Sequence, residues 1–278
     1  MLKITIASGK GGTGKTLIAT NLARTLSDME EKVHYIDCDV EEPNGHLFLH
    51  PKNNQEEVIH LKSPAGVDEA KCLKCGKCAE ACRYNAIAVV KEKVLFFKEL
   101  CHLCGACQIV CPVDAIVEKE RNIGTLRHGF SGKIDFHDGL LATAEGGMSP
   151  RLIRKLKTFV SEGINVLDSS PGTACPVVET IKDVDLCVLV TDPTPFGVHD
   201  LKLAVAMTRS LGKEPVIIVN RSSYDSYNLK TYCQDQKLQI VGEIPNDRKI
   251  AHFYSRGDLI IDEIPEYKVL FKKVAISI

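Results

Sequence analysis

The sequence predicts an α/β protein in which a parallel β-sheet is flanked by helices and interrupted by a small insert of different composition. Short apolar segments alternate with amphipathic helical stretches, and they cover residues 2–7, 33–38, 164–168, 186–191, 216–220 and 238–242. Residues 62–120 break this alternation and hold eight of the twelve cysteines. We therefore predict an α/β domain whose two parts cover residues 1–60 and 121–278, with an inserted domain over residues 61–120.

Composition and charge narrow the classes of protein to consider. The 278 residues carry a net charge of −1, so the totals predict no nucleic-acid partner. No apolar run is long enough to span a membrane, and Met1 is followed directly by a strand rather than by a signal-peptide pattern. We therefore expect a cytoplasmic protein, whose reduced cysteines are metal ligands, catalytic groups or small buried hydrophobic residues.

A phosphate-binding loop is predicted directly after the first strand. The pattern G-x-x-x-x-G-K-[ST] is filled by Gly9, Gly14, Lys15 and Thr16, between an apolar strand and an amphipathic helix. Lys15 is expected to bind the β- and γ-phosphates, and Thr16 to bind Mg²⁺. Backbone N–H groups would surround the phosphates at Gly11, Gly12, Thr13 and Gly14. The alternative is a glycine-rich turn without a ligand.

A second lysine in this loop makes the pattern more specific. Lys10 follows Gly9, and the run Lys-Gly-Gly-Thr-Gly-Lys-Thr resembles the deviant Walker A motif of the MinD/ParA and nitrogenase iron-protein group. The resemblance implies a P-loop ATPase that forms a homodimer, or a heterodimer with a paralogue, across its nucleotides. It also implies that Lys10 contacts the nucleotide of the partner subunit. The alternative for Lys10 is a solvated loop lysine.

The same resemblance assigns further residues to the nucleotide site. Asp168, which ends an apolar strand, resembles the switch II aspartate that holds Mg²⁺ through a water, and Gly172 would sense the γ-phosphate. Asp39 resembles the switch I aspartate that orients the attacking water. The alternatives are a helix N-cap for Asp168 and an ordinary polar strand end for Asp39.

Two later residues resemble the part of this group that contacts the base. Asn220 follows an apolar strand, and Pro245 lies in a segment similar to the one against the base, although a plain turn is the alternative for Pro245. A guanine site of the pattern Asn-Lys-x-Asp would need a carboxylate at position 223, which is Ser223 here. ATP, with Mg²⁺, is therefore the expected nucleotide.

The cysteines of the insert form an internal repeat. The pattern C-x₂-C-x₂-C-x₃-C occurs twice with an offset of 29 residues, at Cys72, Cys75, Cys78 and Cys82 and at Cys101, Cys104, Cys107 and Cys111. This resembles the bacterial two-cluster ferredoxins, a small α+β fold with two [4Fe–4S] clusters. The resemblance implies crossed ligation, in which Cys111 completes the first cluster and Cys82 completes the second. Zinc is the alternative, since paired C-x₂-C also binds zinc.

Three functions are compatible with these motifs. In the first, ATP-driven dimerisation gates electron transfer through two [4Fe–4S] clusters to a redox partner. In the second, the protein is an ATP-dependent carrier or assembly factor for iron–sulfur or heterometal clusters, and in the third it is a MinD-like positioning ATPase with redox-sensing clusters.

Cys175 is a candidate ligand for a further metal or cluster, because the nitrogenase iron protein has a cluster ligand at the same spacing after its switch II aspartate. The alternative is a buried packing residue, as expected for Cys38, Cys187 and Cys233.

Overall fold

The computed structural model describes residues 1–143, 146–222 and 227–278, which divide into two compact units. The first unit comprises Met1–Glu56, Leu126–Leu140 and Ile153–Ile278, and the second comprises Glu57–Thr125 and Leu141–Leu152. The second unit thus includes residues 57–60, 121–125 and 141–152, which the sequence predicted to belong to the α/β domain.

The described residues form eleven strands and eleven α-helices. The strands are β1 (Leu2–Ala7), β2 (Val33–Asp37), β3 (Lys52–Val67), β4 (Ile87–Val90), β5 (Lys93–Phe96), β6 (Ile116–Ser131), β7 (Ile134–Leu141), β8 (Ile164–Asp168), β9 (Leu186–Thr191), β10 (Pro215–Ser222) and β11 (Ile240–Pro245). The helices are α1 (Lys15–Asp28), α2 (His46–Leu49), α3 (Lys77–Glu80), α4 (Ala106–Ile109), α5 (Ser149–Leu156), α6 (Cys175–Ile181), α7 (Pro195–Ser210), α8 (Tyr227–Asp235), α9 (Arg248–Ser255), α10 (Ile260–Glu263) and α11 (Pro265–Ser277).

The first unit is built on a parallel sheet with the strand order β11-β10-β9-β1-β8-β2-β7. Because neighbouring strands are parallel, the carboxyl ends of β1, β2 and β8 lie at the same edge. The predicted fold class, a parallel sheet flanked by helices, is confirmed.

Strand β6 runs through two glycines of a stretch whose pattern predicts hairpins. Residues 122–136 alternate and contain Gly124, Gly129 and Gly132, which predicts several hairpins. Of these three glycines, only Gly132 lies in a turn, between β6 and its neighbour β7. Gly124 and Gly129 lie inside β6, so a single two-residue turn replaces the predicted hairpins.

Helix α1 packs the phosphate-binding loop onto the core of the first unit. The helix is buried on nearly all sides, since 11 of its 14 residues are buried. Leu17, Ile18 and Leu22 are at most 3% exposed, and each such side chain contributes about 1.5–3 kcal/mol through burial. The last helix, α11, packs against α1 and β11, where Gly242 leaves room for Val274. The apolar-rich residues 266–278 predict a last helix packed on the sheet, and this prediction is confirmed. The helix continues to Ser277, so the final residues form no strand, and Ile276 is exposed.

The second unit repeats its backbone as well as its cysteines. Strands β4 and β5 pair antiparallel, and α3 and α4 follow equivalent glycines. Left-handed backbone conformations recur with the 29-residue offset at Lys74 and Leu103, Gly76 and Gly105, and Asn85 and Asp114. The two halves therefore fold alike locally, as an internal duplication requires. Across the described ranges of both units, every helix is too short or too polar to cross a membrane.

Candidate functional site

The phosphate-binding loop connects β1 to α1 and is shaped by glycines. Gly12 and Gly14 have left-handed backbone conformations, with φ of 74° and 96°. A Cβ at Gly14 would also lie 2.3 Å from Nδ2 of Asn220, whereas one at Gly11 or Gly12 would meet only open space. The loop is thus tightly packed at Gly14, where α1 begins. It is open at Gly11 and Gly12, where its N–H groups could bind an anion.

Three carboxylates gather at the carboxyl edge of the sheet. Asp37 ends β2, Asp168 ends the neighbouring strand β8, and both are buried. The hydroxyl of Tyr35 donates a hydrogen bond of 3.0 Å to Oδ2 of Asp168. Asp37 accepts hydrogen bonds from the backbone N–H groups of Asp39 (3.1 Å) and Gly45 (2.8 Å), which fixes the turn that carries Asp39.

Burial and mutual repulsion perturb these carboxylates. Burial, together with the charge of Asp168, raises the pKa of Asp37 well above its usual range and raises the pKa of Asp39 to about 6. Burial also raises the pKa of Asp168, although Lys15 and Thr16 at the start of α1 oppose that shift. A cation at this place would relieve the repulsion.

The residues present fit a Mg²⁺ ion beside a phosphate. Oδ1 of Asp168 and Oγ1 of Thr13 are buried and have no hydrogen-bond partner within residues 1–143, 146–222 and 227–278. Lys15 is only 7% exposed, although lysine side chains rarely lie buried. Buried polar atoms without partners are costly, so an acceptor and a donor left unused here indicate a ligand.

A pocket of about 250 Å³ lies beside the loop in the first unit. Asn220 and Pro245, which the sequence assigned to the base, both line it, together with Gly12, Leu17 and Tyr254. Asn220 donates a hydrogen bond of 2.7 Å from Nδ2 to the carbonyl of Thr13, so in this structure its amide supports the loop. Ser223, on which the preference for ATP over GTP was based, lies outside the described residues.

The eight cysteines of the second unit form two separate sets. One depression is lined by Cys72, Cys75, Cys78 and Cys111, and another by Cys82, Cys101, Cys104 and Cys107. Each set combines three cysteines of one repeat with the last cysteine of the other. Cys82 and Cys111, the last cysteine of each repeat, accept equivalent hydrogen bonds. Ala86 N–H donates to Sγ of Cys82 at 3.3 Å, and Ala115 N–H donates to Sγ of Cys111 at 3.2 Å.

The other four cysteines divide into two kinds. Cys38, Cys187 and Cys233 are buried, as the sequence analysis expected of packing residues. Cys175 is exposed at the first residue of α6, so the alternative of a buried packing residue is wrong for it.

Comparison with known proteins identifies the family. Residues 4–260 match the family described as the CobQ/CobB/MinD/ParA nucleotide binding domain. The chain belongs to this family. An uncharacterized protein of Methanocaldococcus jannaschii is 34% identical over 266 residues, covering 94% of this chain and 91% of the relative.

Two further comparisons concern a named relative and a solved structure. An iron–sulfur cluster carrier protein of Methanocaldococcus jannaschii is 24% identical over 281 residues, covering 92% of this chain and 76% of the relative. The septum site-determining protein MinD of Pyrococcus horikoshii, complexed with Mg-ADP, matches with a TM-score of 0.61 at 19% identity, covering 99% of this chain and 94% of that chain. At that identity the likeness to MinD concerns the fold.

Two residues of the MinD/ParA-type site have partners that the sequence did not reveal. Nζ of Lys10 forms an ion pair of 3.0 Å with Asp192, which follows β9. The N–H of Gly172 donates a hydrogen bond of 2.9 Å to the carbonyl of Ser8. Both groups must change partners before they could contact a nucleotide in the predicted way.

Tyr35 and Asp192 were missed by the sequence analysis. Asp192 carries a usable signal, because it directly follows a buried strand that ends at the same edge of the MinD/ParA-type sheet as β1. Tyr35 carries none, since an aromatic residue inside an apolar strand is equally expected of a core position.

The raised pKa of Asp39 predicts a pH-dependent stability. A carboxyl whose folded pKa is about 6, above its unfolded value, favours folding at low pH and disfavours it as the pH rises through 6. The nucleotide-free Asp39→Asn variant should therefore gain about 1–2 kcal/mol over the parent at pH 8, after allowance for solvent screening, and little at pH 4.5. Urea unfolding at both pH values measures this.

The matched control for this prediction is Glu42→Gln, at an exposed carboxylate of the same turn. It should change the free energy of unfolding by less than about 0.5 kcal/mol at either pH. If Asp39→Asn stabilised the protein equally at pH 4.5 and pH 8, the raised pKa would be refuted.

Proposed function

We propose that this chain is an ATP-dependent carrier or assembly protein for iron–sulfur clusters. In this proposal the first unit binds and hydrolyses ATP in the cytoplasm, and the second unit is a ferredoxin-like insert with two [4Fe–4S] clusters. The observation that carries the proposal is the sorting of eight cysteines into two sets of four, each around its own depression. The relative named as an iron–sulfur cluster carrier protein supports delivery of clusters as the purpose.

The residues of the first unit have defined roles in this proposal. Lys15 binds the β- and γ-phosphates, and the N–H groups of the loop surround them. Thr16 and Asp168 would hold Mg²⁺, which supplies positive charge beside the phosphates. Asp39 orients the water that attacks the γ-phosphorus, and the bond from that phosphorus to the leaving ADP oxygen breaks. Tyr35 keeps Asp168 in place through its hydrogen bond.

In the same proposal, Lys10 of the phosphate-binding loop links ATP binding to dimerisation. Lys10 leaves Asp192 and contacts the nucleotide of a second subunit, which is a copy of this chain or a paralogue. Hydrogen bonds from Thr194 and Lys10, acting against the effect of burial, hold the pKa of Asp192 below its usual range. The ion pair therefore keeps Lys10 on its own subunit until a nucleotide-bound partner competes for it.

The second unit offers its clusters to other proteins. Cys75 and Cys104, the equivalent second cysteines of the two repeats, are exposed, whereas Cys107 is buried. An exposed thiolate is the ligand that an acceptor protein's cysteine can replace first. Each cluster would thus have one accessible corner from which transfer to a client protein begins.

A second candidate function is nucleotide-gated electron transfer through the same two clusters to a redox partner. The observation that favours it is the completeness of each set, since four thiolates from one chain leave no coordination position open on a cubane. Closed sites of this kind suit resident clusters that gain and lose electrons. The two candidates differ in whether the clusters leave the protein.

A transfer assay separates the candidates. Anaerobically reconstituted protein, with about eight iron atoms per chain from two clusters, is mixed with an apo-ferredoxin acceptor with and without MgATP. We expect ATP to speed the movement of iron to the acceptor, and Lys15→Ala to abolish that acceleration. Lys273→Ala, at an exposed lysine of α11, is the matched control and should behave like the parent.

Two other results of the transfer assay would contradict the carrier function. Retention of both clusters through many rounds of ATP hydrolysis would contradict the carrier function and favour electron transfer. Reconstituted protein that held zinc in both sets, and no iron–sulfur clusters, would contradict both candidates.

Crossed ligation is tested by paired serine variants. Cys82→Ser should weaken the cluster bound by the second repeat, and Cys111→Ser the cluster bound by the first, because each of these cysteines lines the depression of the other repeat. Electron paramagnetic resonance of the reduced proteins distinguishes the two signals, and the variants should lose different ones. Loss of the cluster at Cys72, Cys75 and Cys78 in Cys82→Ser would show that each repeat binds its own cluster.

A further inference from the structure

A cluster of histidine and aspartate side chains lies at the opposite edge of the sheet from the phosphate-binding loop. His34 is the second residue of β2, whereas Asp37 ends that strand, and in the parallel pairing His34 lies beside Asp135 of β7. His137 of β7 and His128 of β6 complete the group. All four residues belong to the first unit, and none takes part in the proposed nucleotide or cysteine sites.

The nitrogen and oxygen atoms of this group converge. Nδ1 of His34 lies 3.1 Å from Oδ2 of Asp135, and Nε2 of His137 lies 3.3 Å from Oδ1 of the same carboxylate. One atom from each of these three residues lies within 4.8 Å of the others. A tetrahedral ion with ligand bonds of about 2.0–2.2 Å separates its ligand atoms by roughly 3.4 Å. The separations of 3.1 Å and 3.3 Å are close to that value.

Among the residues that the structure describes, the ring nitrogens of His34 and His137 that face Asp135 have no hydrogen-bond partner. Nε2 of His34 lies 3.1 Å from the carbonyl of Glu162, which can only accept, so Nε2 carries the hydrogen. In a neutral ring, Nδ1 then presents a lone pair to the carboxylate of Asp135. Within the described residues, neither Nδ1 of His34 nor either nitrogen of His137 has a hydrogen-bond partner, although both rings are buried. With the ring neutral, these two facing acceptors leave a place that a cation between them would fill.

We propose that His34, Asp135 and His137 bind a divalent transition-metal ion. Two imidazoles and one carboxylate are ligands that Zn²⁺, Fe²⁺ and Co²⁺ accept and that Mg²⁺ and Ca²⁺ do not prefer. A water molecule completes the coordination.

The surroundings support the three ligands. Nε2 of His128 lies 2.7 Å from Oδ1 of Asp135, and the carbonyl of Glu162 fixes the tautomer of His34, as outer partners do in metal sites. Phe159 stacks on His137 with 4.3 Å between ring centroids, which shields that side. The side chains of Asp135 and His128 are 27% and 28% exposed, so an ion can enter past them.

Cobalt titration of the cluster-loaded, nucleotide-free protein tests the proposal, because filled cysteine sites cannot compete. We expect one Co²⁺ per chain, with visible d–d absorption and without a sulfur-to-cobalt charge-transfer band, displaced by Zn²⁺ and not by Mg²⁺. Asp135→Asn and His137→Gln should each weaken binding by more than about tenfold. The matched control, His252→Gln at an exposed histidine of α9, should bind like the parent.

Two results would overturn the proposal. One is a parent protein that binds no Co²⁺ outside its cysteines, which would make the group a histidine–aspartate ion-pair network. The other is equal affinity in the parent and in Asp135→Asn. If His137→Gln does not fold, Asp135→Asn decides the question, because its side chain is partly exposed and the substitution keeps its shape.

Discussion

The first unit depends on placing buried carboxylates beside a buried lysine. Asp37 and Asp168 end neighbouring parallel strands, and burial raises the pKa of both. The opposing charge is Lys15, which is held there because Gly14 adopts a left-handed conformation at the start of α1. The buried carboxylates therefore stabilise positive charge at this site, and a nucleotide with its cation would balance their negative charge. Folding of the sheet edge and binding of the nucleotide are therefore set by the same interaction.

The parts of this arrangement that are local in sequence could be predicted. The loop from Gly9 to Thr16 identified its strand and helix, and the 29-residue repeat identified both cysteine runs. The parts that were missed are contacts between distant segments. Lys10 pairs with Asp192, and Tyr35 donates to Asp168, and no local pattern joins such residues. Strand β3 was missed for another reason, because its polar, weakly alternating residues lack the pattern of a buried strand.

The sheet of the first unit uses its two edges differently. The carboxyl edge carries the loop and the acidic residues, and the amino edge carries the histidine–aspartate group. Strand β2 joins them, since His34 and Asp37 are three positions apart. At the carboxyl edge the charge is balanced by Lys15, whereas the proposed metal ion would balance it at the amino edge. One strand thus contributes a buried titratable group to each site.

In the proposed function, the nucleotide and the clusters act on each other within one chain. Linkage requires reciprocity, so if ATP alters how firmly the clusters are held, the clusters must alter ATP affinity by the same factor. The most direct measurement is anaerobic calorimetry with a non-hydrolysable ATP analogue, on cluster-loaded and cluster-free protein. The proposed coupling predicts affinities for the analogue that differ by about fivefold or more. Equal affinities would contradict it and would make the insert and the nucleotide site independent.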